Sequence, residues 1–199
     1  MARFKLFGIN FLVGVDFLCL ITFMLYVDKT GYMTPCLLAV FVHEMGHILA
    51  LKCLRTPPDR VELKIGTIEV KGRFVLSNKN SAVMLLFGPL TNFIMALLFL
   101  LLYSILKGER FVVFGIIMAL VGLFNLLPVT GTDGGELTAI FLSLFLKTKT
   151  QRVVRTVISA LFCFLLFCCG GFIFIKSKRN PSMLLLAIYL VVCTFKNNK

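Results

Sequence analysis

The chain has two histidines, and they stand four residues apart in His43-Glu44-Met45-Gly46-His47. On a helix such residues share one face a turn apart, so both imidazoles can address a single metal ion. Glu44 lies beside them, where a carboxylate can take a proton from a metal-bound water and pass it to a leaving group. Every histidine of the chain falls within this one pentapeptide, so chance accounts for it poorly. The pattern normally specifies zinc.

Two histidines do not complete a hydrolytic zinc site, which takes three protein ligands and leaves one position open. The acids near apolar stretches are Asp16, Glu109, Asp133 and Glu136. Asp133 follows Asn125-Leu126-Leu127-Pro128-Val129-Thr130-Gly131-Thr132, a stretch whose proline and glycine oppose a continuous helix. A carboxylate at membrane depth is costly unless paired, and zinc is a strong partner. As alternatives, Asp133 caps the helix that begins near Gly135, or Glu136 supplies the third ligand. A third group is Gly88-Pro89-Leu90-Thr91-Asn92, where Gly-Pro kinks a helix and Asn92 carries an amide into an uncharged run. Taken alone, ordinary helix packing also accounts for it.

The elements that must position these residues follow from composition. Of 199 residues, 59% are hydrophobic and 15% charged, where a soluble domain has about 45–50% and about 25%. Mean hydropathy is +0.96. A globule of this size cannot hide so much apolar surface, whereas several uncharged runs are long enough to cross a bilayer. The expectation is an all-α polytopic membrane protein forming one membrane-embedded domain over 1–199, with spans near 6–27, 34–52, 81–106, 111–146, 156–175 and 181–195. Segment 111–146 is too long for one crossing and is read as two helices around an unwound stretch near 128–134. The run from Leu6 exceeds a signal-peptide core and is expected to be a retained first helix.

Net charge is +12, but the basic residues lie between the apolar runs, as they do around membrane helices, and nucleic-acid binding is excluded on that distribution. Fifteen of the 21 Lys and Arg residues fall on one side if the N-terminus is inside, seven of them between Lys52 and Lys79. The positive-inside rule then makes both termini and the 52–80 loop cytoplasmic. Within that loop, residues 61–65 and 67–71 alternate about Gly66 and read as a short β-hairpin. The seven cysteines form no CxxC pair and read as small reduced apolar residues.

The motifs HEMGH, GPLTN and NLLPVTGTDGG, in that order on three consecutive expected helices, resemble the site-2 proteases, a family of intramembrane zinc metalloproteases. The likeness covers a core of about 34–146 and is nearest to the small bacterial sporulation-factor type, without PDZ or CBS domain. It implies one zinc ion held by His43, His47 and Asp133, with Glu44 as catalytic acid and base. It also implies that Asn92, with Gly88 and Pro89, lines the site and positions the substrate or its oxyanion, and that Asn125 and Pro128 belong to the site wall. The implied substrate is a membrane protein or membrane-inserted peptide, cut toward the cytoplasmic side of the cell membrane. The cytoplasmic hairpin would engage that substrate, and a separate membrane protein could regulate the enzyme. The chain departs from the family in having Val129-Thr130-Gly131-Thr132 where a leucine and further prolines are common, which removes no proposed ligand.

Helix rise offers an independent check, placing His43 and His47 roughly 7–14 Å from the end near Lys52 and Asn92 about 16 Å from Ser81. Asp16 would lie about 15 Å from Leu6, at similar depth, facing a wet cavity or a neighbouring helix, or supporting a liganding histidine. Two other classes compete. A metal transporter should string acids and histidines along several spans, whereas here they gather at one point. A catalytically silent scaffold typically loses Glu44 or a ligand, and none is missing.

Overall fold

A computed structural model of the chain describes residues 2–6, 9–64, 67–71 and 76–177. These fall into two compact units that divide between Gly122 and Leu123. The expected span 181–195 lies outside the described residues.

The first unit begins with two strands, β1 (Ala2–Leu6) and β2 (Ile9–Val13), followed by helix α1 (Val15–Val27) and helix α2 (Met33–Cys53). Strands β3 (Arg60–Lys64) and β4 (Thr67–Lys71) come next, then α3 (Asn78–Leu106) and α4 (Glu109–Asn125). The hairpin expected at 61–71 is present, with Val61 opposite Val70. It is half of a four-stranded sheet in the order β1-β2-β3-β4. Strand β2 runs parallel to β3, with Phe11 in register with Val61, a pairing that needs a long crossover, here through α1 and α2. Phe11 and Val61 are buried together with Ile48 of α2, and Met45 packs against them. The sheet is thus braced on the helix that carries both histidines.

This sheet corrects one expectation. Residues 6–27 do not form a single membrane helix, because 10–13 pair with β3 and Gly14, in extended conformation, starts α1 afresh. Hydropathy cannot tell a buried strand from a buried helix when the run is short. At 13 residues α1 is about 20 Å long, short of a bilayer's hydrocarbon core of about 30 Å. Among the described residues three helices are long and apolar enough to cross a membrane: α2, α3 and Thr148–Phe172 of the last helix.

The connection from α1 to α2 is organised by Asp28. Its carboxylate accepts from the Thr30 amide (2.9 Å) and hydroxyl (2.6 Å), from the Gly31 amide (3.1 Å) and from the Met33 amide (2.7 Å). Gly31 turns the chain at φ +75°. The Thr30 hydroxyl, then the Met33 amide, holds the Asp28 carboxyl below its ordinary pKa.

Helices α2 and α3 cross in close contact. A Cβ on Gly46 would stand 2.4 Å from Thr91 Oγ1 and 2.6 Å from the Phe87 carbonyl, so only glycine permits this approach. Further along, Ala39, Ala96 and Met118 of α2, α3 and α4 form a buried cluster.

In the second unit the end of α4 is followed by an irregular turn, then α5 (Asp133–Ser143) and α6 (Thr148–Ser177). The break expected inside 111–146 is therefore present, running from Leu126 to Thr132. Six described cysteines are free thiols.

Candidate metal centre

His43 and His47 lie on the buried face of α2, at 5% and 9% exposure, with their Nε2 atoms 3.2 Å apart. Two nitrogens at about 2.0–2.1 Å from a tetrahedral zinc would be about 3.3 Å apart, so the pair is spaced for one ion. His47 Nδ1 lies 2.9 Å from the Met84 carbonyl of α3. A carbonyl can only accept, so Nδ1 carries the proton and Nε2 keeps its lone pair, the tautomer a ligand needs.

Helix α3 closes over the imidazoles through Gly88. A Cβ there would stand 2.6 Å from the His47 ring and 2.8 Å from His43 Cε1. Pro89 follows inside the helix and is buried. Thr91 donates its hydroxyl to the Gly88 carbonyl (2.7 Å) and the Val42 carbonyl (3.3 Å), tying this part of α3 to α2. Asn92 is fully buried, with Nδ2 3.5 Å from His43 Nδ1. Gly122 of α4 packs on it, since a Cβ there would stand 3.2 Å from Asn92 Cβ. Glu44, between the two histidines on α2, is half-buried. The structure thus brings together His43, His47, Gly88 and Asn92, four of the residues singled out by spacing and motif.

Asp16 falls in the first turn of α1 and is exposed. Its depth from Leu6 no longer follows, because Ile9–Val13 between them form strand β2.

In the second unit, Asp133 is the first residue of α5 and is half-buried. The cap is Thr132, whose hydroxyl oxygen accepts from the Gly135 amide at 3.2 Å, so Asp133 is spared that duty. The Thr132 hydroxyl is also shared between the Leu127 (2.6 Å) and Val129 (2.9 Å) carbonyls that the break leaves without helical partners. Gly131 turns at φ +101°. Gly134 and Gly135 let the turn fold onto α5, since added Cβ atoms would stand 2.1 Å from the Leu126 carbonyl and 1.9 Å from that of Val129. Asn125 ends α4 and Pro128 lies inside the turn, both half-buried.

Helix α6 secures this turn along a row spaced by four. Gln151 donates to the Ala139 carbonyl (2.8 Å), Arg155 pairs with Glu136, and Ser159 accepts from the Thr130 amide (3.0 Å). Ser159 Oγ also lies 3.0 Å from the Thr130 hydroxyl and 3.5 Å from the Pro128 carbonyl. Cys163 completes the row, buried against Val129. Non-helical backbone at membrane depth needs such partners. Sequence reasoning missed Ser159, a lone hydroxyl in a long apolar run, although its spacing from Gln151 and Arg155 was readable. Glu136, the other candidate ligand, is engaged by Arg155.

In fold, the chain is similar to the site-2 protease from Methanocaldococcus jannaschii, with a TM-score of 0.67 at 17% identity, over 100% of this chain and 95% of that one. At that identity the likeness shows the fold. No protein-family model and no curated protein matches the sequence.

Proposed function

We propose that this chain is an intramembrane zinc endopeptidase of the site-2 protease type, cutting a membrane-embedded segment of another protein. The observation that carries the reading is the pair of buried Nε2 atoms 3.2 Å apart in a His-Glu-x-x-His turn, on a fold shared with a site-2 protease. Asp133 is the proposed third ligand. Two imidazoles with a carboxylate are a donor set that suits zinc.

When bound, zinc would acidify a water and polarise the scissile carbonyl. Glu44 takes the proton of the attacking water and delivers it to the departing amine nitrogen. The substrate helix must unwind first, because its carbonyls are otherwise held in backbone hydrogen bonds. Strand β4, an edge of the described sheet, can hold the released segment extended by strand addition. We place the enzyme in the cell membrane of a bacterium as a single multi-pass domain, with both termini cytoplasmic and with regulation left to a separate membrane protein.

The test compares membrane proteomes of cells expressing wild type and Glu44→Gln. The variant should keep its zinc and accumulate uncut substrate, and turnover near the wild-type level would overturn the reading. Zinc content of Asp133→Asn against Glu136→Gln identifies the third ligand, with loss expected only in the former.

A further inference from the structure

Toward the start of α2, away from the histidines, the first unit holds a cavity of about 410 Å³. Tyr32, Thr34 and Pro35, where α2 begins, form one side of it, and Arg110, Val113 and Phe114 of α4 form the other. The three α4 residues are spaced by three and four, so a single face of that helix lines the cavity. Its volume falls within the range of small-ligand sites, about 300–1,000 Å³. Arg110 is the one charged residue in the wall, and among the described residues its guanidinium has no ion-pair or hydrogen-bond partner. The neighbouring acids do not answer it. The Asp28 carboxylate is engaged by Thr30, Gly31 and Met33, and Glu109 is not part of the wall.

Two observations put this cavity at a membrane surface. Gly46 of α2 meets Gly88 of α3 while Ala39 clusters with Ala96, so the two helices run antiparallel. Both are long and apolar enough to cross a bilayer, and the start of α2 therefore lies at the same surface as the end of α3. Tyr26, Tyr32 and Tyr103 mark that surface: they stand near the end of α1, the start of α2 and the end of α3, and all are exposed. They are three of the four tyrosines in a chain without tryptophan. Tyrosine collects at headgroup level, where its ring meets hydrocarbon and its hydroxyl meets water. An unpaired guanidinium beside hydroxyls, over a floor of proline, valine and phenylalanine, suits an anionic phosphate ester with hydrocarbon beneath it.

We propose that the cavity seats the phosphate of a membrane phospholipid, paired with Arg110 and hydrogen-bonded by Thr34, with the upper part of its chains on Pro35, Val113 and Phe114. The site is separate from the histidines and does not depend on zinc. A lipid held there bridges the start of α2 to α4.

Native mass spectrometry of the delipidated protein in detergent, titrated with phosphatidylglycerol, tests this. Wild type should hold one lipid per chain tightly. Arg110→Ala should weaken that lipid about tenfold or more, as loss of a hydrogen bond to a charged group does, and unchanged affinity would overturn the site. Arg110 is exposed, so its removal leaves the fold intact. Arg110→Lys keeps the charge without the planar fork and should fall between the two. Lys29, exposed in the same connection but outside the wall, is the control, and Lys29→Ala should bind like wild type. Equal losses in Lys29→Ala and Arg110→Ala would mean that diffuse positive charge draws the lipid, and the site would fall. A diacylglycerol with the same chains lacks the phosphate and should not compete; competition as strong as phosphatidylglycerol's would also overturn the proposal. Displacement of the lipid by millimolar inorganic phosphate would make the ligand a free anion and overturn the lipid assignment.

Discussion

The two regions that carry the proposed ligands are held by different physics. At the crossing of α2 and α3 the histidines are fixed by shape: Gly46 and Gly88 let two regular helices meet so closely that the imidazoles have little room to turn. At the turn before α5 the backbone is irregular, and the turn that leads into Asp133 is held by the Thr132 hydroxyl, which donates to the Leu127 and Val129 carbonyls, and by Ser159 of α6, which accepts from the Thr130 amide. A regular helix satisfies its own polar groups and needs only a close fit, whereas a broken one must find partners for every freed carbonyl and amide. The first region should therefore fail when volume is added, and the second when a hydroxyl is removed.

The sharpest way to break the contrast is volume at the crossing. Gly46→Ala forces a methyl against the Phe87 carbonyl, a backbone atom that cannot swing aside. Its cost should reach the upper part of the range for overpacking, about 3 kcal/mol, with zinc affinity falling alongside. Chemical unfolding in detergent reads the first, and chelator competition the second. Near-wild-type stability would mean the helices meet less closely than described.

Next in size is Ser159→Ala. It strands the buried Thr130 amide and should cost about 2 kcal/mol, within the range for an unsatisfied buried donor. Ser159→Thr restores the hydroxyl and should recover part of the loss, whereas a purely steric role would favour alanine. Unfolding of both variants side by side decides.

Thr132→Ala removes a helix cap and should cost about 1 kcal/mol, with Thr132→Ser close to wild type. If serine is no better than alanine, the hydroxyl is not what holds the turn.

The smallest effect belongs to Asp28, whose loop lies outside both regions. Its carboxyl is held below its ordinary value in the folded protein, so its stabilising contribution is present above the unfolded pKa of about 4 and is lost as pH falls through the folded one. The melting-temperature gap between wild type and Asp28→Ala should be small at neutral pH and close on acidification below about pH 4. A gap that widens at low pH would contradict this sign.

Much of this was readable in advance wherever a local rule decides the outcome. Spacing four apart placed His43 and His47 on one face because a helix repeats every 3.6 residues. Pro128 and Gly131 announced a break because neither favours a helix interior, and alternation about Gly66 announced β3 and β4. Hydropathy was the weak guide, since it marks a run as apolar without saying what the run pairs with, and so 6–27 read as one helix.

What the sequence by itself determined is the chemistry on offer: two imidazoles in one helical turn with a carboxylate between them, in a chain too apolar for water. Only the tertiary structure decided what holds that chemistry in place. The β2–β3 pairing, the Met84 carbonyl on His47, the Asn92 amide on His43 and the Ser159 clamp on the turn each join residues at least 29 positions apart. Such contacts are set by how helices and strands pack, and no short-range pattern encodes them.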